Sequence, residues 1–301
     1  ALKSLGRPVA ADEQFAVLSR EHHFYGQLAG EELGAVIGPA MATYKPTEDE
    51  VKTIANSPAL QRALSLYRLN LRLEGVREWT WAIRKFDDKQ LLAAAELARR
   101  NELYDRAINT ADRTQQLHDF SLRFPSPHFE TMQGFTKPLN LDEAWVYGLV
   151  RQESRFVQVA KSTVGASGMM QLMPATAKWV ASKLGMKSFS LGVVTKLDTN
   201  FALGTYYMKH VLDSLSGSPV LATAAYNAGP GRAKKWQEIK PMEAAAYIES
   251  IPFTETRDYV KKVMSNSAYY AARFGDPLTS LKKRLGFIPG RSKEALASDE
   301  P

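Results

Sequence analysis

The chain has 301 residues, a net charge of +7 at neutral pH and a pI of about 9.4. Its 45% hydrophobic and 24% charged residues fit an ordinary globular protein long enough for two or three domains, and no apolar run approaches the ~20 residues of a membrane span. With no cysteine, disulfides and thiolate metal sites are excluded; the positive charge comes without a concentrated basic block or nucleic-acid motif, so it favours anionic partners only in a general way.

The histidines His22, His23, His118, His128 and His210 show no metal-ligand spacing, so no metal and no cofactor is expected. Residues 12–114 read as helices with short breaks. The 13–34 segment places Phe15, Leu18, Tyr25 and Leu28 at helical intervals, with a break near His22. Thr47 and Glu50 have the spacing of a capping box. Ser57-Pro58 opens a long helix carrying Leu60, Leu64, Tyr67 and Leu71, with Gly75 as its stop. Further helices are predicted over 76–86, 88–100 and 104–112. Short helices in series suggest a solenoid-like arrangement, without a clean sequence period. Pro125, Pro127 and Pro138, with Gly134 between them, mark 120–138 as a boundary, or else shape a loop within one continuous domain.

The stretch 145–177 organises the C-terminal half of the chain. A helix is expected to start at an Asn140 N-cap, with Glu143 completing a capping box. Its spacing puts Val146, Val150 and Glu153 on one face, with Trp145, Leu149 and Phe156 beside it. A carboxylate on an apolar stripe should have its pKa raised by burial, which suits a group that donates a proton near neutrality. The alternative, more common on periodicity alone, is a Glu paired with Arg151 or Arg155 at a helix end. The next segment looks like a pocket: Gly165-Ala166-Ser167-Gly168 allows close backbone approach, Ser162 offers a hydroxyl, and Met169, Met170 and Met173 surround Gln171. Pro174 opens another helix, with Ala177, Val180, Ala181 and Leu184 as its stripe and Gly185 as its stop.

Beyond it, a helix over 199–215, capped by Asp198, carries Phe201, Gly204, Met208, Val211 and Leu215 inward. A helix over 219–226 ends in the turn Asn227-Ala228-Gly229-Pro230-Gly231, so Tyr226 and Asn227 sit at a helix terminus; they are equally readable as a packed Tyr and a C-cap Asn. Helices are predicted at 232–240 and 242–250. Pro252 breaks the chain, and Thr254 caps a last long helix through Arg273. Glu255, in its first turn, would favour the helix dipole in any case. The polar segment 292–301 reads as a loosely held tail.

Four segments, in order, resemble the soluble lytic transglycosylases. They are Glu153-Ser154-Arg155-Phe156; Gly165-Ala166-Ser167-Gly168-Met169-Met170-Gln171, with Met169 where the family usually has Leu; Ala225-Tyr226-Asn227-Ala228-Gly229-Pro230-Gly231; and Ile251-Pro252-Phe253-Thr254-Glu255-Thr256-Arg257 followed by Tyr259-Val260. The Met169 departure is a near-isosteric exchange. The resemblance is strong over 124–275 and weaker before it. It implies an all-α fold: the end of a superhelical domain over 1–55, a helical linker domain over 56–123, a lysozyme-like catalytic domain over 124–285 and a tail over 286–301. On that reading Ala1 lies inside the superhelical part and an N-terminal portion is missing. It also implies a periplasmic home, in association with the outer membrane or cell wall, and peptidoglycan strands as partner, whose peptide carboxylates suit a basic protein. Other cell-wall enzymes stay open as further partners; nucleic acid is not expected.

The resemblance also implies a mechanism. Ordinary glycosidases use two carboxyl groups about 5–9.5 Å apart, but the sequence near Glu153 supplies no second acid, and Glu255 is the best distant candidate. A single carboxyl suffices if the nucleophile lies within the substrate. Glu153 would protonate the glycosidic oxygen between MurNAc and GlcNAc, then deprotonate the muramic acid C6 hydroxyl, leaving a 1,6-anhydro end. Ser162, Gln171, Met173, Tyr226, Asn227, Glu255 and Tyr259 would line the saccharide cleft, with Tyr226 positioning Glu153 by a hydrogen bond. Two alternatives stay in view: a hydrolytic muramidase of similar fold, and a non-enzymatic wall-binding scaffold.

Overall fold

The structure is a computed structural model that describes residues 2–35, 42–276 and 280–291. The all-α class expected from the sequence is what it shows. Seventeen α-helices and one two-stranded ladder lie among the described residues. The chain forms two compact units, one of Ala1–Pro39, His128–Ser154 and Gln158–Pro301, the other of Ala40–Pro127 with Arg155–Val157. No helix of the described residues is long and apolar enough to cross a membrane. The tail predicted over 292–301 lies outside the described residues.

The first unit begins with α1 (Pro8–Leu18) and α2 (Phe24–Glu32). The break near His22 has a local cause: the imidazole of His23 accepts from the Gly26 amide at 3.3 Å and caps α2. The second unit holds α3 (Glu48–Ala55), α4 (Pro58–Arg68), α5 (Arg72–Ala82), α6 (Asp88–Arg100), α7 (Tyr104–Ala111) and α8 (Phe120–Arg123). The Thr47–Glu50 capping box is made in both directions, and Asp87 with Gln90 forms a second one that opens α6. The helix expected to run to Gly75 stops at Arg68 instead. Asn70 turns left-handed at φ 59°, and Gly75 sits inside α5, where a side chain would meet the Tyr67 ring at 2.9 Å. Gly75 is therefore a packing glycine and not a helix stop. Val51, Leu60, Leu64, Trp79 and Leu91 fill this unit's core, and the Trp79 indole donates to Thr110 Oγ1 at 3.0 Å.

The first unit resumes with α9 (Phe129–Thr136), α10 (Glu143–Glu153), α11 (Pro174–Lys183), α12 (Leu197–Ser214), α13 (Pro219–Ala228), α14 (Pro230–Lys235), α15 (Ala244–Ser250), α16 (Thr254–Phe274) and α17 (Leu281–Leu285). β1 (Met242–Glu243) pairs antiparallel with β2 (Phe287–Ile288), Met242 opposite Ile288. That pairing takes the first two residues of the helix expected over 242–250. The helix expected over 232–240 ends at Lys235. The caps also differ from expectation. Asp142, not Asn140, caps α10, its Oδ1 accepting from the Ala144 and Trp145 amides at 2.9 and 3.3 Å. Asn140 is left-handed, φ 48°, at the end of the preceding 3₁₀ turn, and Glu143 accepts from Gln133 and Thr136. Asp198 and Thr254 make no cap hydrogen bond; Lys196 and Phe253 stand at those N-caps.

The central contact of this unit is α10 against α16. At Gly148 a methyl group would come within 2.8 Å of the Val263 carbonyl and 2.9 Å of the Ser267 amide, so only glycine lets the two helices approach this closely. Asn266, buried on α16, donates to the Gly148 carbonyl and accepts from Arg151. Together these contacts fix where the end of α10, and so Glu153, lies.

Candidate active site

Glu153 is the last residue of α10. Val146 and Val150, two turns and one turn earlier on its face, are fully buried. Burial pushes the Glu153 carboxyl from 4.5 up to about 7, against a smaller opposite effect of the hydrogen bond from Tyr259. That bond, from the Tyr259 hydroxyl to Glu153 Oε1, is 2.5 Å long. Tyr259 is itself buried on α16, and its pKa is driven well above the phenol range by desolvation and by the Glu153 charge. At neutral pH the phenol is therefore a fixed donor, and the carboxyl lies near its midpoint, able to give or take a proton. Among the described residues no ion pair involves Glu153. Arg151, one of the two partners the simpler reading offered it, instead gives a hydrogen bond to Asn266.

Tyr226, near the end of α13, donates to the Met170 carbonyl at 2.7 Å. Its pKa is also driven far up, first by burial and next by the Glu153 charge, so the ring lies within electrostatic reach of the carboxyl. The hydrogen bond to Glu153 expected of Tyr226 is made by Tyr259. A hydroxyl has one proton, and Tyr226 commits its own to the loop.

That loop, 160–172, is a tight double turn. Ser167 exchanges hydrogen bonds of 3.0 Å with Leu172, and the Gly168 amide reaches Ala160 at 2.9 Å. Ser162 Oγ accepts from the Ala166 amide at 3.0 Å, which leaves its proton for another acceptor. Gln171 is left-handed at φ 44°, and its side-chain amide donates to the Ala160 and Gly168 carbonyls at 3.1 and 2.7 Å. A non-glycine residue in that region is uncommon and marks a conformation imposed by its surroundings. Met173, the N-cap of α11, is 42% exposed.

On the α16 side, Asn227 Oδ1 accepts from the Thr256 hydroxyl at 2.6 Å, and the Asn227 residue is exposed. Glu255 is exposed in the first turn of α16, one turn before Tyr259. The structure thus brings Tyr259 directly to Glu153 and links Tyr226 to the Met170 loop. Ser162 and Gln171 brace that loop, and Asn227 and Glu255 stand at the start of α16. No second carboxylate among the described residues contributes to the titration of Glu153.

Sequence reasoning missed Asn200. It is buried on α12 and accepts from the Met170 amide at 2.8 Å while donating to the Ser167 and Val194 carbonyls at 3.3 and 2.9 Å. A methyl at Gly168 would fall 2.1 Å from its Nδ2, and one at Gly204 would strike the Met170 sulfur at 2.2 Å. The available signal was a polar residue adjoining Phe201 on a core-facing stripe, which requires partners.

Three family models match the chain. They are the Soluble lytic murein transglycosylase L domain over 53–119, the Transglycosylase SLT domain over 131–248, and the Soluble lytic transglycosylase helical domain over 250–278. The soluble lytic murein transglycosylase of Escherichia coli (strain K12) is 29% identical over 277 residues, 91% of this chain and 43% of that protein. Among solved structures, an inactive Glu-to-Gln mutant of lytic transglycosylase Slt from Pseudomonas aeruginosa aligns with a TM-score of 0.79 at 34% identity, covering 90% of this chain and 44% of that one. The 70 kDa soluble lytic transglycosylase of Escherichia coli aligns with a TM-score of 0.79 at 28% identity, covering 93% and 45%. The chain thus spans less than half the length of the relatives it matches. Matched by these models and relatives over most of its length, the chain belongs to the soluble lytic transglycosylase family.

Proposed function

We propose that this chain carries the active site of a peptidoglycan lytic transglycosylase with Glu153 as its one acid and base. The observation that carries the reading is the Glu153 carboxyl, raised to about 7 by burial and held by Tyr259. A neutral carboxyl there protonates the glycosidic oxygen between MurNAc and GlcNAc, and the C1–O bond breaks. The resulting carboxylate removes the proton from the muramic acid C6 hydroxyl as its oxygen closes on C1. The product is a 1,6-anhydro end, and Glu153 is again protonated. No water enters, and the intramolecular hydroxyl brings a large effective molarity. The absence of a second carboxylate influencing Glu153, among the described residues, supports this route over the two-carboxyl geometry of hydrolases. The relative whose Glu-to-Gln mutant is inactive supports an essential acid of this type.

In this reading Tyr259 orients the acid. Tyr226, Gln171, Ser162, Met173, Asn227 and Glu255 line the saccharide cleft, Glu255 organising substrate and not attacking it. The assigned domains are the end of a superhelix over 1–55, a linker domain over 56–123, the catalytic domain over 124–285 and a tail over 286–301. The substrate is the peptidoglycan strand, and the location assigned with it is periplasmic. Mass spectrometry of digested peptidoglycan tests the chemistry. Anhydro ends, lighter by one water than reducing ends, are the expected product; reducing ends alone would make the enzyme a muramidase.

A further inference from the structure

A row of aromatic rings leads from the Glu153 site to open surface. Tyr226 and Tyr207 of α12 lie 5.4 Å apart between ring centroids. Tyr207 meets Trp179 of α11 in an edge contact at 6.4 Å, and Trp179 lies 4.8 Å from His210. The Lys183 ammonium, one turn along α11, stands 5.9 Å from the indole centroid. Exposure rises along the row: Tyr226 and Tyr207 are half-buried, Trp179 is 37% exposed, and His210 is exposed. Helix α11 buries Ala177, Val180 and Ala181, and its stripe needs no indole beside it. A lone exposed aromatic requires no explanation. One that ends a continuous row of rings beginning at Tyr226, which is bonded to the Met170 loop and feels the Glu153 charge, is a different observation.

We infer that Trp179 is a saccharide-stacking platform, over which the glycan strand runs as it leaves the Glu153 site along Tyr226 and Tyr207. The inference rests on the transglycosylase reading, which supplies the glycan. A pyranose ring has an apolar face of C–H groups and a polar rim of hydroxyls. An indole offers the matching electron-rich face with an N–H at its edge. Fixed aromatic rings also lose little conformational entropy when a ligand settles on them. Lys183 sits on a flexible stem and swings from the ring to the rim, where its ammonium and the His210 imidazole reach the oxygens of the sugar's acetamido or lactyl groups. Trp179 is therefore assigned to binding and not to chemistry. It acts on strands long enough to reach beyond the bond being cut.

The test uses the full chain carrying Glu153→Gln, so that ligand is not consumed. Glycan strands stripped of their stem peptides, as disaccharides and as long strands, are titrated by calorimetry into this protein with and without Trp179→Ala. The expected result is a loss of roughly 3- to 10-fold in affinity for long strands, the range of one aromatic contact, with disaccharide affinity unchanged and with Trp179→Phe recovering most of the loss. Equal affinity for long strands with and without the indole overturns the inference while leaving the transglycosylase reading intact. An equal loss for both lengths also overturns it, since that is the mark of a disturbed fold. If the parent Glu153→Gln protein binds neither ligand, the functional reading fails and takes this inference with it.

Discussion

The Glu153 carboxyl is held in a state that costs the fold stability. Folded Glu153 binds its proton more tightly than the unfolded chain does, its pKa standing at about 7 against an ordinary 4.5. Between those values stability falls as pH rises, and above the upper one it stays low. Glu153→Gln removes the charge and leaves an amide oxygen for the Tyr259 hydroxyl. It should therefore raise stability at pH 8 by on the order of 1–3 kcal/mol and leave it nearly unchanged at pH 4.5. Denaturant melts at the two pH values read this directly; no gain at pH 8 would mean that the carboxyl is well solvated. Tyr259→Phe acts the other way. It removes the hydrogen bond that stabilises the charged form, so the Glu153 pKa rises further and the alkaline limb of activity moves to higher pH. A pH–rate profile of the variant checks the direction; a shift to lower pH would contradict it. The type and position of Glu153 were legible in the sequence because a lone acid on an apolar stripe is a visible conflict. The choice of Tyr259 over Tyr226 as its partner was not legible. Both are tyrosines near the right motifs, and only the folded geometry decides which hydroxyl is already committed to Met170.

Two pieces of the first unit act as whole elements: the α10–α16 pair and the loop 160–172. Gly148 sets the spacing of the pair, with backbone atoms and not flexible side chains as its neighbours. Gly148→Ala should cost about 1–3 kcal/mol, as overpacking does, and lower activity more than the lost stability explains, because it shifts the helix that ends in Glu153. Denaturant midpoints paired with initial rates test this; an unchanged rate in a destabilised protein would separate the helix spacing from the chemistry. Most helices were legible from apolar spacing and from Pro and Ser/Thr/Asp punctuation, as with Thr47 and Pro174. Their ends were less so. Asn140, Asp198 and Thr254 are good capping types standing one or two residues from the true start, and the chain's exit angle decides between neighbours. Gly75 looked like a stop because punctuation and close packing both call for glycine, and Tyr67 makes the difference only in three dimensions. Asn200 was invisible as the brace of that loop for a similar reason: its three partners lie 6 to 33 positions away in the chain.

At the scale of the whole chain, all-α class and family membership were both legible, since ordered motifs spread over 153–260 constrain a fold more tightly than any one of them. The two compact units each have their own buried core, and the chemistry is assigned to one of them. On the proposed mechanism the activity rests on a single proton carried by Glu153 in that unit. The direct measurement is digestion of intact peptidoglycan by the full chain and by its Glu153→Gln variant, with soluble fragments and glycan binding both followed. Loss of all fragment release from a folded variant that still binds glycan is the predicted result; release of anhydro fragments at an undiminished rate would contradict it.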